Sequence, residues 1–343
     1  MGQLVQLQKN NKDFNYYLTL LKKLCNNDLQ SINSIIIEKL DSNVPLIQEI
    51  ASHLILSGGK RLRPLLTSCC FKICKQKLNH NDKDYLGLAA AVEFIHAATL
   101  LHDDVVDKSK KRRGSPTANE IWGNKTSVLV GDFLFSRAFQ LMTKYGNQEM
   151  LKILSDTSVT ISEGEILELS NDKDPTISEN TYFEVINGKT ASLFSAACQM
   201  GAISSKTTNE KIDALKYFGT NFGMSFQLID DAIDYSSSSF NLGKNIGDDF
   251  KEGKVTLPII LAYLRSNNSE KKFWKKTIQD LKQDNNDFEN AIEIIKKYNC
   301  IDDTIERARH FANIAKDSLG VFENNEFKKI LLNIIDSGLE RIK

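Results

Sequence analysis

The stretch DYLGLAAAVEFIHAATLLHDDVVD, residues 84–107, most limits how this chain can fold. It is rich in Ala and Leu and contains no proline. Helical spacing of its apolar residues predicts one long helix. Asp103, Asp104 and Asp107 fall at its end, interleaved with Leu100, Leu101, Val105 and Val106 as in a partly buried segment. Helical patterns recur at 127–146, 153–172, 182–202, 212–236 and 255–267. Gly146 closes the first of these as a glycine often closes a helix. The five prolines, Pro45, Pro64, Pro116, Pro175 and Pro258, each suit a helix start or a connection. Alternating strand patterns bounded by turn signals are absent. The expected fold class is therefore all-α. No fixed-length repeat or Pro- or Gly-rich linker divides the chain, so residues 1–343 read as one helical domain.

Composition narrows the function. The chain has 343 residues, 41% of them hydrophobic, enough for a substantial core. Its 44 basic residues balance 44 acidic ones, which argues against coating nucleic acid or an anionic membrane. Any polyanion must be met by a local basic cluster. The N-terminus MGQLVQLQKNNKDF lacks a secretory pattern, and Gln6 stands where a myristoylation signal needs Ser or Thr. The apolar stretches read as broken short of a membrane span. Cys25, Cys69, Cys70, Cys74, Cys198 and Cys300 form no zinc spacing and read as reduced thiols of a cytoplasmic protein.

Asp103 and Asp107, at i and i+4, share a helix face with Cβ atoms about 5–6 Å apart. Carboxylates so placed repel each other unless a cation lies between them. Hard oxygen donors suit Mg²⁺, which takes a few carboxylates together with phosphate and water. One such pair reads equally as a solvated acidic face. The spacing recurs, however, at Asp230, Asp231 and Asp234 in FQLIDDAIDY, and an acidic pair, Asp248 and Asp249, follows in GDDFKEGK. Facing helices with these clusters can hold Mg²⁺ ions around a diphosphate and stabilise it as a leaving group.

The bases form a complementary set. SGGKRLRP supplies Lys60, Arg61 and Arg63 after a Gly-Gly turn, in a pattern that suits phosphate oxygens. A surface basic turn is the equal alternative. His96 lies seven residues before Asp103, nearly on the same face. Arg112 and Arg113 fall just past the helix end. Lys189 and Thr190 in NGKTASLF resemble a small phosphate clamp, although the upstream glycine of a P-loop is missing. Lys244 and Lys254 complete the candidate anion contacts, while Lys108, Lys110 and Lys111 read as solvated.

GGKRLRP, LLHDDVVDKSKKRRGSPT, GKTASL, FQLIDDAIDY and GDDFKEGK resemble, in that order, the motifs of trans-isoprenyl diphosphate synthases, the polyprenyl synthetase family. The likeness covers a motif-bearing core of about residues 50–260; the tail beyond 265 adds little. It implies an isoprenoid synthase-type helical bundle around a deep central cavity, usually a homodimer. It also implies condensation of isopentenyl diphosphate head-to-tail onto an allylic diphosphate, with Mg²⁺ as cofactor and farnesyl diphosphate the expected primer. On this resemblance Asp103, Asp107 and Asp230 bind Mg²⁺ and Asp234 supports the second site. Arg112, Lys189, Thr190, Gln227, Lys244 and Lys254 contact the allylic diphosphate. Lys60, Arg63, His96 and Arg113 bind isopentenyl diphosphate. Asp103, Asp107, Asp230, Lys189 and Arg112 form the catalytic group.

The resemblance also makes the first acidic helix a ruler of product length. Bulky residues four or five positions before the first aspartate would block the growing chain, and here Thr99 and Ala98 are small. Gly87 and Ala91 lie within about 40° of Ala98 around a helix turning about 100° per residue, which makes a groove of small residues. Tight helix packing favours the same residues. Phe94 interrupts this groove, and Phe133, Phe135 or Phe139 is the expected floor. The expected product is octaprenyl to decaprenyl, for a quinone side chain. A farnesyl or geranylgeranyl synthase is the alternative. A terpene cyclase needs no second diphosphate site, and a non-catalytic synthase subunit usually loses acids from one or both clusters, whereas this chain keeps both. No nucleic-acid partner is expected; peripheral membrane contact during product release stays open.

Overall fold

The computed structural model describes residues 12–56, 58–75, 83–112, 114–236 and 247–342. Seventeen α-helices occur among them. The first six are α1 Phe14–Leu24, α2 Asn26–Lys39, α3 Pro45–Leu56, α4 Leu62–Cys74, α5 Asp84–Val106 and α6 Ala118–Trp122. Next come α7 Asn124–Tyr145, α8 Gln148–Ser170, α9 Glu179–Ile186, α10 Ser192–Ser204, α11 Asn209–Asp234 and α12 Asp248–Glu252. The last five are α13 Leu257–Arg265, α14 Asn268–Trp274, α15 Asp287–Lys297, α16 Cys300–Ser318 and α17 Glu326–Leu339. A π-helical turn, Asn187–Ala191, joins α9 to α10, and a 3₁₀ turn, Glu340–Ile342, follows α17. The only paired strands among the described residues are two-residue pieces, Lys111–Arg112 against Ser115–Pro116.

Local chemistry starts the helices. Asp13, Asn147, Ser178 and Asn325 each accept an N–H of the first turn of α1, α8, α9 and α17. Asn267 and Glu270 form a reciprocal capping box at α14. Gly146 follows α7 as expected, but at φ −99° it does not use the left-handed conformation; its N–H returns to the Met142 carbonyl.

α5 occupies the centre and packs against α4, α7, α10 and α2. Leu88, Ala89, Ala90, Ala91, Val92, Phe94, Ile95 and Ala98 are all fully buried, on every side of the helix. A helix apolar all round belongs inside a bundle. The same composition makes α5 long and apolar enough to cross a membrane, which corrects the expectation that every apolar run falls short. Neighbouring helices cover most of that surface. A second core joins α1, α4, α10 and α17 through Leu21, Leu66, Phe194 and Leu331; a third joins α11, α13 and α16 through Ile229, Leu257 and Ala308. All six cysteines are free thiols, five of them buried.

Candidate active site

Both acidic clusters lie at the C-terminal ends of long helices. Asp103 and Asp104 occupy the last turn of α5, with Asp107 as its cap; Asp230, Asp231 and Asp234 end α11. A helix C-terminus carries partial negative charge, which disfavours each added anion by roughly 0.3–1 kcal/mol. These ends require cations. A cavity of about 230 Å³ lies at them, with Asp107, Lys189, Thr190, Gln227, Asp231 and Lys254 on its wall.

In the first cluster each acid has different surroundings. Burial, and then the Glu165 carboxylate, push the Asp103 carboxyl up to about 7. Asp104 is buried and takes Arg112 through two guanidinium nitrogens, Nη2 at 2.7 Å and Nε at 3.0 Å. The short hairpin after α5 thus folds Arg112 back onto its own motif. Asp107 is more exposed and lies 3.6 Å from the Lys254 Nζ, which also meets Glu252 at 2.8 Å. Burial works against the Lys254 charge, but Glu252 and Asp107 outweigh it and hold the ammonium above its ordinary value.

The second cluster divides similarly. Asp231 is buried, accepts the Tyr182 hydroxyl proton and receives the Gln227 amide at 2.7 Å; Thr190 donates to Gln227 at 3.0 Å. Burial outweighs these bonds and sets the Asp231 carboxyl at about 7. Asp234 accepts the Asp249 N–H at 3.1 Å and so ties α11 to the start of α12. Asp230 pairs with Arg341 at 2.9 Å and is absent from the cavity wall, where Asp231 stands.

Lys189 reaches the cavity from the π-helical turn, whose wider winding changes the side-chain phase between α9 and α10. Its ammonium lies 2.8 Å from Glu165 and in contact with Glu168, both on α8. Burial opposes its charge, yet Glu168 and Glu165 hold it above the ordinary lysine value.

The basic turn before α4 bends through Gly58 at φ 96° and Arg61 at φ 51°. Arg61 points inward to Glu93 of α5 and to the Ile55 carbonyl, so this base anchors the turn. Lys60 lies over the Phe14 ring at 5.0 Å, and Arg63 over Phe194 at 4.2 Å. The Arg63 Nε is buried with no hydrogen-bond partner, and burial lowers its guanidinium to about 10. His96 is half-buried on α5. Arg341 joins Lys60 over Phe14 and Phe226. Arg113 and Lys244 lie outside the described residues.

The sequence profile described as polyprenyl synthetase matches residues 44–295. The chain belongs to the polyprenyl synthetase family. Octaprenyl diphosphate synthase of Haemophilus influenzae is 37% identical over 321 residues, which cover 94% of this chain and 96% of the relative. The decaprenyl diphosphate synthase structure from Rhodobacter capsulatus superposes with a TM-score of 0.89 at 40% identity, covering 95% of this chain and 99% of that one. A polyprenyl synthase from Caulobacter crescentus, complexed with calcium and isoprenyl diphosphate, gives 0.88 at 43% identity, covering 95% and 98%. These neighbours carry the isoprenoid synthase fold expected above.

In this polyprenyl synthetase, no three His, Cys, Asp or Glu side chains among the described residues gather to cage a metal alone. The donor set still fits Mg²⁺, which is usually held by one or two carboxylates completed by substrate phosphate and water. Burial first, and then the Glu165 carboxylate, raise Asp103 to about 7, and a cation bound there would offset both.

The groove of small residues is packed shut. Ala91 and Ala98 are fully buried, Thr99 is half-buried, and neither Ala98 nor Thr99 lines the charged cavity. A Cβ at Gly87 would strike the Tyr145 ring at 2.1 Å, so Tyr145 closes the groove at that level. Phe139 is 46% exposed and lines an outer surface groove with Phe135, which does not suit it as a floor. Sequence reading missed Glu165, Glu168, Tyr182 and Arg341. EGEILEL in α8 carried the only available signal, three acids of which Glu165 and Glu168 stand three positions apart among apolar residues.

Proposed function

We propose that this chain is a trans-polyprenyl diphosphate synthase that extends an allylic diphosphate, farnesyl diphosphate in the first instance, to an octaprenyl-to-decaprenyl product for a quinone side chain. The carrying observation is the convergence of two acidic helix ends, Lys189 and Lys254 on one cavity. The octaprenyl and decaprenyl relatives support a long product over a farnesyl or geranylgeranyl one. The Caulobacter neighbour's calcium and isoprenyl diphosphate support a divalent cation and a diphosphate substrate.

Asp103, Asp107 and Asp230, with Asp234 supporting, would hold Mg²⁺, which supplies charge neutralisation for the leaving diphosphate. Arg112, Lys189, Thr190, Gln227, Lys244 and Lys254 hold the allylic diphosphate. Lys60, Arg63, His96 and Arg113 hold isopentenyl diphosphate. Fixing two polyanions side by side supplies proximity that their repulsion would deny. Loss of diphosphate leaves an allylic cation, the double bond of isopentenyl diphosphate attacks it, and a proton passes to the departed diphosphate. A dry surround protects the cation from water.

The chain acts as one domain. Exposed apolar Leu129, Phe139, Val159 and Ile166 on α7 and α8 support a homodimer, and free cysteines support a cytoplasmic setting. The test is to incubate the purified protein with farnesyl and isopentenyl diphosphates and Mg²⁺. Several isopentenyl units should be consumed per primer, with diphosphate released. Cyclic hydrocarbon from the allylic substrate alone would contradict the reading.

A further inference from the structure

We propose that Glu165 and Glu168 are positioning residues: they clamp the Lys189 ammonium at the cavity wall and leave its third N–H for the allylic diphosphate. This rests on the reading of Lys189 as a diphosphate contact. The two glutamates lie three residues apart on α8, hence on one side of that helix, and both line the cavity. Lys189 touches both. An ammonium has three donors and no acceptor, so two carboxylates fix its direction and leave one N–H.

The backbone fixes the same register. A Cβ at Gly188 would lie 2.8 Å from the Gly164 Cα and 3.0 Å from the Thr160 carbonyl oxygen. Gly164 directly precedes Glu165, and Gly188 directly precedes Lys189. The two glycines let α8 and the π-helical turn touch where the clamp begins. A lysine on a flexible stem would otherwise sample many directions. Two acids against one base also leave the clamp with a net negative charge. That arrangement disfavours bare diphosphate and suits diphosphate that arrives with a cation.

Glu165→Gln and Glu168→Gln keep side-chain size and remove charge. With 22% and 41% of their side chains exposed, neither substitution should unfold the protein. Each should lower kcat/KM for farnesyl diphosphate about ten- to a hundredfold, the effect of losing one charge-assisted hydrogen bond. KM for isopentenyl diphosphate and the melting temperature should not move. In a Lys189→Ala background, Glu168→Gln should have no further effect, because the residue it positions is gone. Full-rate glutamate variants beside a slow Lys189→Ala enzyme would overturn the clamp alone, as would additive losses. Wild-type turnover by Lys189→Ala would overturn the Lys189 reading and the clamp with it.

Discussion

Asp104 and Arg112 show how one motif splits its work between neighbouring residues. The sequence presents three acids of similar appearance, yet burial gives Asp104 to the hairpin that follows, while Asp107 lines the cavity and Asp103 lies within the field of Glu165 and Lys189. Asp104→Asn should cost about 1–3 kcal/mol by weakening a buried charge-assisted pair, and should slow turnover through a loosened Arg112. Thermal melts and kcat check both effects. The raised carboxyls give a pH signature. Asp103 and Asp231 stand at about 7 in the fold, against an ordinary value of 3.8. Between those values the folded protein keeps protons that the unfolded chain has lost, so stability falls as pH rises. Melts in chelator should show this decline between about pH 4 and 7, and Asn at either position should reduce it. Ala98→Phe forces a ring into a fully buried, packed site and should cost about 1–3 kcal/mol of stability; if Ala98 belongs to the ruler, the variant that folds should also make a shorter product. Unchanged product length would remove Ala98 from the ruler.

At the scale of elements, the site is built from helix ends and one irregular turn. The ends of α5 and α11 were legible because DDxxD spacing inside an apolar helix is a strong local pattern. The basic turn was legible too, although Arg61 could be separated from Lys60 and Arg63 only once Glu93 was seen beneath it. The π-helical turn was not legible: GKT gives the residues but not their phase, and phase decides that Lys189 meets α8. Asp230 posed the same problem. Neighbouring helical residues point about 100° apart, so Asp230 and Asp231 separate toward Arg341 and Tyr182 respectively. Gly188→Ala tests the helix contact. The new methyl would meet Gly164 backbone at 2.8 Å, which should destabilise the protein by about 1–3 kcal/mol and lower turnover together. A full-rate, equally stable variant would show that the close approach does not matter.

For the whole molecule, the all-α class followed from helical periodicity and few prolines, and the structure bears it out. The tail beyond 265 carries more than its sequence suggested. α16 packs along α11, and the final 3₁₀ turn brings Arg341 to Asp230. The Arg341–Asp230 pair joins residues 111 positions apart, and no local motif announces it. In the proposed homodimer the exposed apolar side chains of α7 and α8 would form the interface, so Leu129→Lys with Ile166→Lys should give a monomer in sedimentation analysis. A dimer that survives both changes would move the interface elsewhere. The central claim is a long-chain synthase whose cavity starts chain growth at a metal-bound diphosphate. Mass analysis of the products from farnesyl diphosphate, isopentenyl diphosphate and Mg²⁺ tests it most directly. The account predicts octaprenyl to decaprenyl diphosphate, with no product in chelator. Growth that stops at geranylgeranyl diphosphate under excess isopentenyl diphosphate would contradict it.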